Sequence, residues 1–186
     1  MTELKLPELK NNEYIASVYK NEHSYGAFAI SKHGLIRNVF FFSSAASAEN
    51  ILDNHLFFFE KIEDIKYKKF LKIWEQVISS SFNCVTYKKI DIPLDSNNWT
   101  PLQGKVYDII RNIPPGETYS YGKVAELIGK PKSARSIGKI MAINPVAPII
   151  PCHRVIGKKG TMTGYSANGG VALKEKLLET EKTITP

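Results

Sequence analysis

A polar stretch near the middle of the chain, IDIPLDSNNWTPLQ (Ile90 to Gln103), constrains the fold more than any other feature. Proline, asparagine and serine gather there, which marks a linker between segments of different character. Ahead of it, YIASVYK and SYGAFAISKHGLIRNVFFF are rich in aromatic and β-branched residues and read as strands, with SKHG as a hairpin turn. SAASAENILDNHLFFFE predicts a short helix, and IKYKKFLKIWEQVISSSF a stronger one. In the latter, Phe70, Ile73, Trp74, Val77 and Ile78 share one face at helical spacing, which leaves the lysines to solvent. An α+β chain of two domains is expected, 1–95 and 96–186.

After the linker the pattern becomes helical. Thr100-Pro101 supplies an N-cap followed by a proline at the first helical position, and Leu102, Val106, Ile109 and Ile110 repeat at the helical period. NIPPGETYS breaks that helix. Ser120 can cap a second, YGKVAELIG, with Val124, Leu127 and Ile128 inward and Gly129 closing it. KPK is a short turn, and Ser133 can cap a third helix, SARSIGKIMAIN. Two short helices joined tightly, the second basic in its first turn, match a helix-turn-helix. VIGKKGTMTGYS then predicts a hairpin whose basic tip would serve as a wing.

Charge supports the same division. Residues 1–95 hold 12 basic and 12 acidic side chains, whereas residues 96–186 hold 13 basic and 6 acidic, so the second half carries the whole net charge of +7. A basic half beside a neutral one suggests that the former meets a polyanion. No apolar run is long enough to cross a membrane, and the first residues lack the apolar core of a secretory signal. Two cysteines, Cys84 and Cys152, make no disulfide framework, so the expected setting is intracellular with reduced thiols. His23, His33, His55 and Cys84 lack the close spacing of metal ligands, and no metal is expected.

The chemistry centres on NPVAPIIPCHRVIG (Asn144 to Gly157). The thiolate is the nucleophilic form of cysteine, and histidine is its natural proton acceptor. Neighbours on a regular strand point to opposite faces, so Cys152 and His153 can cooperate only if the backbone turns or a water bridges them. The imidazole also needs an orienting carboxylate, for which the last helix offers Glu175, Glu179 and Glu181. In the third helix Ser133, Ala134, Ser136 and Gly138 are small and Arg135 stands alone among them. That face suits close approach to a backbone or narrow groove better than reading of base edges.

IPCHRVIG, YSYGKVAELIGKPKSARSIGKIMAINP and TGYSANGGVALKEKLL together resemble the O6-alkylguanine-DNA alkyltransferases, from about Thr100 to Glu181. The resemblance implies an RNase H-like αβ domain followed by a winged helix-turn-helix domain. It implies transfer of an alkyl group from O6-alkylguanine, and from O4-alkylthymine, to Cys152 in a single turnover, without a cofactor. His153 then acts as water-mediated base and Glu181, or Glu179, orients it. Asn144 ties the helix pair to the active-site loop. Arg135 fills the gap left by the flipped nucleotide, and Tyr121 crowds the target phosphate and donates to guanine N3.

Gly122, Lys130, Ser133, Ala134 and Lys158 complete the implied DNA face, while Ser166, Val155 and Pro148 line the implied base pocket. YSANGG places more residues before the last helix than the family usually has, so a longer pocket rim is expected near Ala167 and Asn168. The implied partner is double-stranded DNA containing O6-alkylguanine, met by a monomer in the compartment that holds the DNA. A non-catalytic lesion-binding relative is the alternative; such relatives lack the acceptor cysteine.

Overall fold

The computed structural model describes residues 6–20, 24–56, 60–80 and 92–184. His23 and Cys84 lie outside the described residues. The chain forms two compact units, Met1–Asn97 and Asn98–Pro186. No helix among the described residues is long and apolar enough to cross a membrane.

In the first unit, β1 (Glu13–Lys20), β2 (Tyr25–Ser31) and β3 (Gly34–Phe42) form an antiparallel meander. The short β4 (Glu60–Lys61) joins β1 in parallel, giving the order β3-β2-β1-β4. β2 is buried from Gly26 to Ser31, as a strand paired on both edges should be. α1 (Ala45–His55) starts at Ser44, whose side chain accepts from Ser47 N–H, and lays Ala48 and Leu52 against Tyr14, Ala27, Ala29 and Val39. α2 (Lys68–Ser80) follows a single 3-10 turn and buries Trp74 and Ile78.

The expected linker is partly held. Leu35 N–H donates to Pro93 O at 2.9 Å and Asp95 N–H to Leu35 O at 3.0 Å, so residues 93–95 run along β3. The approach demands glycine at position 34: φ is +134°, and an added Cβ would meet Pro93 O at 2.4 Å.

The second unit begins with α3 (Pro101–Arg111), started by a capping box: Thr100 Oγ1 accepts from Gln103 N–H, and the Gln103 side chain accepts from Thr100 N–H. β5 (Tyr119–Ser120) runs directly into α4 (Tyr121–Leu127), where Ser120 Oγ accepts from Lys123 N–H at 3.0 Å. α5 (Ala134–Ala142) packs against α4. β6 (Val155–Ile156) pairs in parallel with β5, and α6 (Gly170–Ile184) closes the unit. Val106, Tyr107, Ile110, Val124, Ile137, Ile140, Val146, Ile150 and Val155 form its interior.

Three local expectations fail. Leu127 is half exposed, because the single turn of α4 beyond Val124 buries Ala125 instead. Ser133 takes the N-cap position of α5 but makes no side-chain cap bond; its backbone at ψ 19° is not extended, which turns Oγ away from the first-turn amides. The segment from Val155 to Ser166 is not a hairpin. Gly157 N–H closes on Thr161 O at 2.8 Å, with Lys159 and Gly160 at positive φ, and this five-residue loop ends the pairing.

Candidate active site

Cys152 opens a single 3-10 turn, Cys152–Arg154, set by Arg154 N–H donating to Pro151 O at 2.9 Å. The backbone therefore turns at the cysteine, which removes the strand geometry that would have opposed its side chain to that of His153. The β5–β6 ladder, pairing Tyr119 with Val155 and Ser120 with Ile156, fixes this turn beside the start of α4. Both Cys152 and His153 are buried.

Behind the turn lies a charged cluster carried by α6. His153 Nε2 is 2.7 Å from Glu181 Oε1. Arg154 donates to the same carboxylate through Nε and Nη2 at 2.9–3.1 Å, and Gly116 N–H donates to Oε2 at 3.2 Å. Burial alone would push Glu181 up, but the His153 and Arg154 hydrogen bonds outweigh it and hold the carboxyl at about 2. An ionised carboxylate only accepts, so the hydrogen on that bond belongs to His153 Nε2. Nδ1 of the neutral ring then carries the lone pair; it is buried and has no hydrogen-bond partner among the described residues. Burial first, then Arg154 and Lys174, keep His153 below its ordinary value despite Glu181. Glu175 and Glu179 are exposed on the other side of α6.

Around the sulfur, burial pushes the thiol up, while Asn144, Lys174 and Tyr165 pull it back. Asn144 Nδ2 stands 3.1 Å from Sγ. Lys174 is fully buried; its ammonium donates to Val155 O at 2.7 Å and Thr163 O at 3.2 Å and lies 5.9 Å from the centre of the Tyr121 ring. Desolvation lowers its pKa, and a charge on Cys152 works against that. The buried Tyr165 hydroxyl closes no full hydrogen bond, yet it lies near enough to the sulfur to favour the thiolate; burial and then Cys152 raise the phenol well above its usual range.

A cavity of about 1080 Å³ opens in front of the thiol. Its wall joins Cys152 to Tyr121, Gly122, Ala134, Arg135, Lys158 and Ser166, seven of the residues expected from sequence. Asn144, His153 and Glu181 sit buried behind the sulfur. Lys130, Ser133, Pro148 and Val155 are not on the cavity wall; Val155 is buried in the ladder with its carbonyl taken by Lys174. Sequence reasoning missed Lys174, Tyr165 and the part played by Arg154.

The arrangement defines a protein with a buried thiol at a cavity wall that also carries Lys123, Arg135 and Lys158, and a histidine–carboxylate pair behind it. A family model described as "6-O-methylguanine DNA methyltransferase, DNA binding domain" matches residues 101–183. A methylated-DNA–protein-cysteine methyltransferase of Mycobacterium bovis is 46% identical over 98 residues, 53% of this chain and 58% of the relative. The sequence match thus spans less than two thirds of that curated relative. A variant of the M. tuberculosis O6-methylguanine methyltransferase superposes over 94% of both chains with a TM-score of 0.68 and 30% identity. The M. tuberculosis protein OGT, in complex with DNA, matches over 94% of this chain and 95% of that one, with a TM-score of 0.64 and 28% identity. The chain belongs to the O6-methylguanine-DNA methyltransferase family.

Proposed function

We propose that this protein repairs DNA by moving the alkyl group of O6-alkylguanine, and of O4-alkylthymine, onto the sulfur of Cys152. The observation that carries the reading is the placement of Cys152 on the cavity wall, with the His153–Glu181 pair buried behind it. The alkyl carbon of such a lesion lies inside the stacked duplex, so the base must be flipped out to reach the sulfur. The basic second unit supports double-stranded DNA as partner, held through phosphates by side chains such as Lys130 and Lys158. Arg135, exposed on the wall at the start of α5, would occupy the emptied stack.

In the reaction the thiol gives its proton to the lone pair on His153 Nδ1, directly or through a water. The sulfur attacks the alkyl carbon in line, the S–C bond forms, and the C–O6 bond breaks. Its electron pair passes to guanine, which takes a proton at N3 from the Tyr121 hydroxyl. The thioether has no second nucleophile to cleave it, so one molecule removes one lesion.

The first unit fits an RNase H-like domain in its three-stranded meander with a parallel fourth strand. The α4–α5 pair and the Gly157–Thr161 loop fit a helix-turn-helix with a short wing. A monomer, active without cofactor where the DNA resides, is the working form. Mass spectrometry after exposure to a duplex carrying O6-methylguanine tests the proposal. One added methyl on the Cys152 peptide, absent in Cys152→Ala, is expected. Unmodified protein that still binds the lesion would favour a recognition module instead.

A further inference from the structure

Arg154 takes no part in the steps above, yet its side chain is only 11% exposed and its guanidinium is committed to the site. Nε lies 3.1 Å from each oxygen of Glu181, Nη2 lies 2.9 Å from Oε1, and Nη1 donates to Ile113 O at 2.6 Å. Oε1 is also the oxygen that accepts from His153 Nε2. One buried carboxylate oxygen is therefore shared between an imidazole and a guanidinium that are neighbours on the same turn.

A buried carboxylate facing an imidazole alone favours the doubly protonated ring. Such a ring has no lone pair left for a thiol proton. A guanidinium on the same oxygen divides the carboxylate's charge and repels an imidazolium. We propose that Arg154 is a positioning residue that keeps His153 neutral and protonated on Nε2, so that Nδ1 remains open to the proton of Cys152. This rests on the reading of Cys152 as the alkyl acceptor. The charged groups acting on His153 are Glu181 and Lys174 from α6 and Arg154 from its own turn. Glu181 alone among them favours the charged ring. Arg154 differs from Lys174 in touching the carboxylate itself, so with His153 it holds Glu181 ionised and, with Gly116 N–H, in place.

Single-turnover methyl transfer from a duplex carrying O6-methylguanine, followed from pH 5 to pH 9, tests the proposal in the full chain. On the acid side the rate falls as His153 becomes protonated. Arg154→Met should move the midpoint of that fall upward by about one pH unit, since a repelling charge has been removed. Arg154→Lys keeps the charge and loses the two-pronged grip. Its midpoint should stay within about 0.3 unit of the wild type, while its plateau rate drops about tenfold, the range in which misplaced acid–base groups act. A uniform loss with an unmoved midpoint in Arg154→Met would reduce Arg154 to a structural brace and overturn the proposal.

Should that variant not fold, nitrogen-15 NMR of the wild-type imidazole decides. A neutral ring with hydrogen on Nε2 at pH 7 is expected, and a doubly protonated ring overturns the proposal. Absence of methyl transfer by the wild type at every pH would instead sink the acceptor reading, which separates the two failures.

Discussion

The side-chain amide of Asn144 donates to Ile150 O at 2.8 Å and to the sulfur of Cys152 at 3.1 Å. Its oxygen accepts from Val146 N–H at 3.1 Å. One buried residue at the end of α5 thus holds the loop before the cysteine in shape and offers a donor to the nucleophile. Asn144→Ala should leave the buried Val146 amide without its acceptor, at about 1–3 kcal/mol, while Ile150 O keeps the bond from Cys152 N–H at 2.8 Å. The expected result is a lower urea midpoint together with at least about a tenfold slower transfer, because the thiol also loses a hydrogen bond that favours its ionised form. A destabilised variant with an unchanged single-turnover rate would limit Asn144 to scaffolding.

Glu181 gives the fold a pH dependence with a defined sign. Its folded value of about 2 lies below the ordinary 4.5, so the stabilisation is fully present above about 4.5 and is lost as pH falls toward 2. A displacement of that size corresponds to about 3 kcal/mol. Urea titrations at pH 5 and pH 3 should show the wild type losing stability that Glu181→Gln does not lose over the same interval. Parallel losses in both proteins would assign the acid sensitivity to other carboxylates.

Much of this site is legible in the sequence, and the physical reasons are specific. Helical periodicity separates Glu181 from Glu179: Lys174, Leu178 and Glu181 recur at i, i+4 and i+7 on the buried stripe of α6, whereas Glu175 and Glu179 fall on its exposed side. The same stripe carried a second signal that went unread. A lysine among buried positions needs acceptors, and Lys174 finds two carbonyls on the loop after Cys152. Tyr165 gave no comparable sign, since one aromatic in a glycine-containing loop has no period to place it. The hairpin failed because lysines and glycines between short apolar runs fit a closed loop as well as a two-stranded turn. In the first unit, the strands followed from β-branched and aromatic runs, but the pairing of residues 93–95 along β3 depends on a glycine at position 34 that reads equally well as an ordinary turn.

Lys174 should influence the sulfur through charge. Its positive charge lowers the Cys152 pKa, so removing it raises that value and reduces the thiolate fraction at any pH below it. Lys174→Met should react with a small neutral thiol reagent at pH 8 up to about ten times more slowly than the wild type, the effect of about one pKa unit. The neutral side chain also gives up the bonds to Val155 O and Thr163 O, so the loop should exchange its amide hydrogens faster. Faster exchange with an unchanged thiol reactivity would mean that Lys174 acts on the loop alone.

Arg135 offers the sharpest separation of DNA handling from chemistry. It is exposed at the start of α5, on the cavity wall that also carries Cys152, and its neighbour Ala134 leaves room for close approach. Unstacking a base costs a few kcal/mol, less for a poorly paired lesion, and a planar cation placed in the gap offsets part of that cost. Arg135→Ala should therefore slow repair of a methylated duplex by about a hundredfold, equivalent to losing about 3 kcal/mol of that compensation. Reaction with free O6-alkylguanine, which needs no flipping, should change by less than about threefold, because Arg135 is no part of the Asn144–Cys152–His153–Glu181 chain. Single-turnover rates on both substrates, measured at one salt concentration, give the comparison. Equal losses on the two would place Arg135 in the chemistry of the pocket and remove it from the duplex.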